Sequence, residues 1–162
     1  MAVAFRADTA RALPYSRAMR TDAARILRAL GLARCELSVA LVDDPAIRAL
    51  NRKYRHKNQP TDVLSFSQLE EPGAPPPNPA ALSDDSATIL GDVVISIDTA
   101  LAQSRAMRIA PHERLRTLLI HGVLHLIGYD HERSPADARR MFARECEIAA
   151  AIAVSRKRSV RR

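Results

Sequence analysis

The 162-residue chain contains no tryptophan, and phenylalanine and tyrosine occur three times each. A core without many large rings has to be built from Leu, Ile, Val and Ala. The aromatic platforms on which unpaired bases stack are also scarce, which reads against a strand binder that works by stacking. Cysteine occurs twice, at Cys35 and Cys146, far apart and outside any C-x-x-C pair. That speaks against a cysteine-bound metal and for a reducing compartment. No apolar run approaches the ~20 residues of a membrane span. The N-terminus lacks the compact apolar stretch of a secretory signal. Its arginines give it a slight likeness to an organelle transit sequence, but Val3-Ala4-Phe5 reads better as the start of a first strand. The expectation is a soluble, cytoplasmic protein with no membrane partner.

What is present is ordinary for a globular chain: 47% hydrophobic and 27% charged residues, enough for one domain with a real core. The net charge is +7, but Arg156-Lys157-Arg158-Ser159-Val160-Arg161-Arg162 carries five of the excess charges and leaves +2 on residues 1–155. Such a tail favours polyanions through phosphate contacts and counterion release. A disordered, solubilising end explains the same residues equally well. The expected organisation is one domain over residues 1–155 and a disordered basic tail over 156–162.

Residues 15–30 place Met19, Ala23, Ile26, Leu27 and Leu30 at helical spacing and stop at Gly31. Residues 35–42 alternate Leu37, Val39 and Leu41 against Glu36, Ser38 and Ala40, the pattern of a half-buried strand. Asp44-Pro45 reads as cap and first-turn proline of a helix over 44–55. A short strand follows at 63–66, then a proline-rich loop over 67–87. Residues 89–97 read as a further strand, with Asp98 capping the next helix. Pro111 opens a helix that Gly128 ends, and Ser134-Pro135 opens a last one. The pattern predicts an α+β fold: a small mixed four-stranded sheet covered by about five helices. Strand order is not legible.

Chemistry concentrates in His121-Gly122-Val123-Leu124-His125-Leu126-Ile127-Gly128-Tyr129-Asp130-His131. His121 and His125 are four apart, so on a helix their rings share one face a turn apart. Gly128 permits the positive-φ conformation that ends a helix sharply and returns His131 toward the same point. Three imidazoles plus water is the open arrangement of catalytic zinc, although nickel or iron suits the same donors. A lone helical His is usually solvated or structural, but three of the five histidines fall within these eleven residues. His56 and His112 read as ordinary surface or helix-start residues. The spacing is that of metzincin proteases, which carry Glu directly after the first His as general base. Here that position is Gly122, so a peptidase using that mechanism is not expected.

Together with N-R-K-Y-R-H-K-N-Q-P-T-D-V-L-S-F at 51–66 and L-G-D-V-V-I-S at 90–96, the histidine segment closely resembles the YbeY family of bacterial endoribonucleases. The resemblance runs from about residue 36 to 152. It implies a zinc-dependent, single-strand-specific endoribonuclease that matures the 3′ end of small-subunit (16S) ribosomal RNA and serves ribosome quality control. It carries His121, His125 and His131 over as ligands of one zinc ion per chain, and matches Arg55 to the family's functional arginine. The implied partners are ribosomal RNA, the small subunit and one of its proteins. Asn58 and Ser67 depart from the family's frequent acidic residue and proline, and the loop at 71–79 is longer.

On this reading Arg55 and His121 are the catalytic residues. The Arg55 guanidinium clamps the scissile phosphate, since it stays charged and matches phosphate oxygens in a fork. Asp130 is a candidate base or an orienting partner behind a ligand imidazole. Asp62 and Asp92 are weaker candidates for that supporting role, with a structural use favoured. Glu145 lies at helical spacing from Met141 and Ile148 on an apolar face, where a partly exposed salt bridge is favoured over a contact with a ligand His. Two rivals stand beside the nuclease: a ribosome-associated assembly factor with structural zinc, and a metal-dependent hydrolase of a small substrate.

Overall fold

A computed structural model describes residues 2–75, 77–82 and 88–160. Its elements are β1 (Ala2–Ala7), α1 (Ser16–Ala29), β2 (Glu36–Val42), α2 (Asp44–Arg55), β3 (Val63–Ser67), β4 (Ile89–Ser96), α3 (Ile97–Met107), α4 (Pro111–Leu126) and α5 (Pro135–Val160). The sheet order is β1-β2-β4-β3. β1 and β4 run parallel to β2, and edge strand β3 runs antiparallel to β4. This is the mixed four-stranded sheet and five-helix α+β fold that the sequence predicts.

Side chains alternate across a strand, and the two faces of this sheet bury different layers. Leu37, Val39, Leu41, Val93 and Ile95 join residues of α1, α3, α4 and α5 in the main core. Ala40, Val42, Leu64 and Val94 face the other way and cover Ile47 of α2. Helix α1 is fastened to α4 by Asp22, only 1% exposed. Its carboxylate accepts from Arg116 Nε at 2.9 Å and lies 3.7 Å from Arg25 Nη1. His112 Nε2 lies 2.8 Å from the same carboxylate without meeting hydrogen-bond geometry. His112, the second residue of α4 and partly exposed, is the helix-start residue its sequence position suggests, and its ring also lies against the buried Asp22.

Several boundaries differ from the sequence reading. Asp43, not Asp44, caps α2, accepting from Ala46 N at 2.9 Å. Asp44 instead accepts from Ser96 Oγ and Thr99 Oγ1 at 2.5 and 2.6 Å. The strand expected to reach 97 ends at Ser96, whose side chain caps α3 in place of Asp98. Asp98 is drawn away by Arg11 and by Asp44 N. The proline-rich loop starts after Ser67 and includes a 3-10 turn, Pro79–Ala81. Pro76 and residues 83–87 lie outside the described residues. Helix α5 continues to Val160, so residues 156–160 are helical where a disordered tail is expected. No Gly or Pro interrupts that stretch, and Ala, Arg and Lys are good helix formers. Arg161 and Arg162 lie outside the described residues.

Helix α4 lies close against the sheet at Gly122. A Cβ there would meet Val93 Cγ1 at 2.6 Å, Ser65 Oγ at 3.2 Å and Val63 Cγ2 at 3.3 Å. Two serines of β3 stitch the same contact: Ser65 Oγ donates to Gly122 O at 2.9 Å and Ser67 Oγ to Leu126 O at 2.8 Å. The position that holds Glu in metzincins therefore faces the sheet and has no room for one. Gly122→Ala is expected to cost about 1–3 kcal/mol by overpacking, measured by urea unfolding. An unchanged unfolding midpoint would contradict the tight contact.

Candidate metal centre

Helix α4 ends in a Schellman turn. Gly128 N donates to His125 O at 3.2 Å and Tyr129 N to Leu124 O at 3.1 Å. Gly128 has φ +107°, and a Cβ on it would meet Pro77 O at 1.9 Å, so two constraints select glycine. The turn sends residues 129–131 back along α4 and brings His131 beside the helical pair. Ring centroids of His121 and His125 are 4.7 Å apart, and each lies 5.2 Å from His131. The nitrogens available as ligands all lie within 4.8 Å of one another.

Glu145 of α5 stands behind His121, with Oε1 2.5 Å from Nδ1. Nδ1 is the nitrogen that carries the proton in this pairing, and the lone pair then sits on Nε2. That Nε2 faces His125 Nε2 at 3.1 Å. Two imidazole lone pairs so close repel unless a cation or proton sits between them. Two nitrogens bound at ~2.0–2.1 Å in a tetrahedral array would be roughly 3.3 Å apart, so the pair fits a shared ion. Burial, with the neighbouring His121 and His131, lowers the His125 pKa to about 4 and keeps the ring neutral, as a ligand must be.

The sequence candidates divide. Arg55, at the C-terminus of α2, lines the same cleft of about 840 Å³ as the three histidines and donates from Nη2 to Ser65 O at 3.1 Å. Asp130 is near the rings but is taken up by its turn. Its Oδ1 accepts from Glu132 N at 2.9 Å and Oδ2 from Arg133 Nε at 3.2 Å. These bonds, the backbone one first, lower its pKa and make it a weak base. Asp62 takes its carboxylate elsewhere, accepting from Val63 N at 2.8 Å and Gln103 Nε2 at 3.1 Å, with Arg114 Nη2 at 3.5 Å. Asp92 pairs in register with Ser38 and Phe66 and lines a groove on the α2 face of the sheet, away from α4. Neither is shown hydrogen-bonded to one of the three imidazoles. Glu145 is, against the expectation of an ordinary salt bridge; its place on an apolar helix face was the signal in the sequence.

The fold and site together define an α+β protein with three convergent histidines in an arginine-bearing cleft. The family described as Endoribonuclease YbeY matches residues 8–153, and the chain belongs to it. Proteins named Endoribonuclease YbeY from Anaeromyxobacter sp. (strain Fw109-5) and Geobacter metallireducens are 48% and 49% identical over 151 and 132 residues. These alignments cover 93% and 80% of this chain, and 72% and 81% of the relatives. The solution structure of TM1509 from Thermotoga maritima superposes with a TM-score of 0.62 at 22% identity, covering 96% of this chain and 93% of that one, and shows the same fold.

Two outcomes are expected at this site. Glu145→Ala should weaken metal binding roughly 10–100-fold, measured by competition with a chelating dye; unchanged affinity would contradict the orienting contact. In metal-free protein, an NMR titration should find the His125 ring neutral until the pH falls near 4. Because the unfolded chain takes up that proton first, stability should drop as pH falls from about 6.5 toward 4. A midpoint near the ordinary 6.5 would contradict the burial of this ring.

Proposed function

We propose that the chain is a zinc-dependent endoribonuclease that cuts single-stranded RNA in the cytoplasm. We further propose that its substrate is the 3′ region of small-subunit (16S) ribosomal RNA, on or near the small subunit and in contact with one of its proteins. The observation that carries the cleavage reading is the joining of three convergent imidazoles and the Arg55 guanidinium in one cleft. Family membership supports RNA as the class of substrate.

His121, His125 and His131 would hold the ion and, being three, leave one position open. Bound zinc supplies a water with its pKa lowered toward ~7 and a Lewis acid for a phosphate oxygen. Arg55, held across the cleft by Ser65 O, neutralises charge that grows on the phosphate. Glu145 fixes the tautomer of His121 and so keeps Nε2 turned into the cleft. Asp130, already bonded by its turn, holds the loop that delivers His131 and does not move protons. The assembly-factor reading is not favoured: structural zinc is normally closed by four protein ligands, and among the described residues this site offers three in an open cleft.

Arg55→Ala should retain its zinc and lose roughly 10²–10³ in kcat on a single-stranded ribosomal RNA fragment. Metal content by mass spectrometry and cleavage by gel assay check this. Equal cleavage by the variant would remove Arg55 from the mechanism.

A further inference from the structure

Besides histidine the chain has six aromatic side chains, and Tyr54, Phe66 and Tyr129 all line the histidine cleft. Two of the three are accounted for by packing. Tyr129 leans on the main core at the end of the α4 turn, and Phe66 packs with Leu50 in the α2 layer. Tyr54 is different. It is 52% exposed on the last turn of α2, directly before Arg55. Its ring meets that of Phe66 at 66° with centroids 5.1 Å apart, and Lys53 Nζ lies 5.0 Å from its centroid.

The helix end that carries this ring is held firmly. His56 takes a left-handed conformation, φ 57°, and its N–H returns to Asn51 O. Asn51 is 3% exposed and donates from Nδ2 to Gln59 O at 2.9 Å. Tyr54 and Arg55 are thus presented together, an aromatic surface beside a guanidinium at the rim of one cleft.

We propose that Tyr54 is a binding platform for an unpaired nucleobase, the one next to the phosphate that Arg55 holds. The proposal rests on the endoribonuclease reading above and deepens it. A base stacks on a tyrosine ring through its π-face whatever its identity, so the platform is tolerant of sequence. In a duplex that face is covered by neighbouring base pairs, so the platform selects single strands. Lys53 Nζ rests over one face of the ring, so a base stacking there displaces this flexible side chain, whose ammonium then serves the neighbouring backbone phosphate. The scarcity of aromatics, which reads against a stacking protein when counted over the whole chain, is offset by their placement.

The test compares wild type, Tyr54→Phe and Tyr54→Leu, each loaded with zinc. Binding of a short single-stranded oligoribonucleotide and of an abasic strand of equal length and charge is followed by anisotropy at fixed salt. Tyr54→Leu should weaken the base-bearing strand by roughly 5–150-fold, and leave the abasic strand and the zinc content unchanged. Tyr54→Phe should bind like wild type, and both should quench a 2-aminopurine that Tyr54→Leu does not. Unchanged affinity in Tyr54→Leu, or equal weakening of both strands, would overturn the stacking role and leave the nuclease reading standing. Wild type that binds neither strand would overturn both.

Discussion

Helix α4 rests on the sheet through a residue with no side chain. Gly122 lets the helix backbone approach Val93 and the β3 serines, and those serines donate to the Gly122 and Leu126 carbonyls of the helix. With that face pinned, His121 and His125 are turned toward the outer edge of β3, one turn apart. The Schellman turn at Gly128 then fixes where His131 arrives. The site is a consequence of how closely one helix can lie on one strand. The same contact explains why a histidine spacing shared with metzincins cannot carry their glutamate: the position is buried against the sheet.

The cleft is assembled from three directions around edge strand β3. Helix α4 and its turn bring the imidazoles, α2 brings Tyr54 and Arg55, and α5 brings Glu145 from behind. Each contributor is anchored away from the cleft. The N-termini of α2 and α3 are tied by Asp44, Ser96 and Thr99, and α1 is tied to α4 by the buried Asp22. Such anchoring suits a metal centre, where small misplacement of ligands or of a phosphate-binding arginine is costly to turnover. It also explains why Asp22, Asp44 and Asp62 are structural despite being carboxylates in a hydrolytic protein.

The histidine triad was legible because a helical repeat of four and a glycine stop are local geometry, complete within eleven residues. The mixed sheet and five helices were legible from periodicity and caps. What stayed open in the sequence needed information across the sheet. Asp92 lies one residue before Val93 on β4, and only strand pairing shows that it faces α2 rather than α4. Asp62 and Asp130 are spent on neighbouring backbone and side-chain donors, which no spacing reveals. The cap of α3 was misplaced by two residues because Ser96 and Asp98 are both good caps, and tertiary contacts with Arg11 and Asp44 decided between them. Glu145 drew attention as an acid on an apolar face, but its partner is 24 positions away on another helix. Tyr54 was overlooked because composition averages over the chain and ignores that three of the six rings gather at one cleft.

The central claim is that one ion, held by His121, His125 and His131, drives RNA cleavage in this cleft. The most direct measurement is to titrate zinc into metal-free protein while following cleavage of a single-stranded ribosomal RNA fragment. Activity should be absent at the start, rise linearly and break sharply at one ion per chain. Full activity in the metal-free protein, or a rise unconnected to one equivalent, would contradict the account.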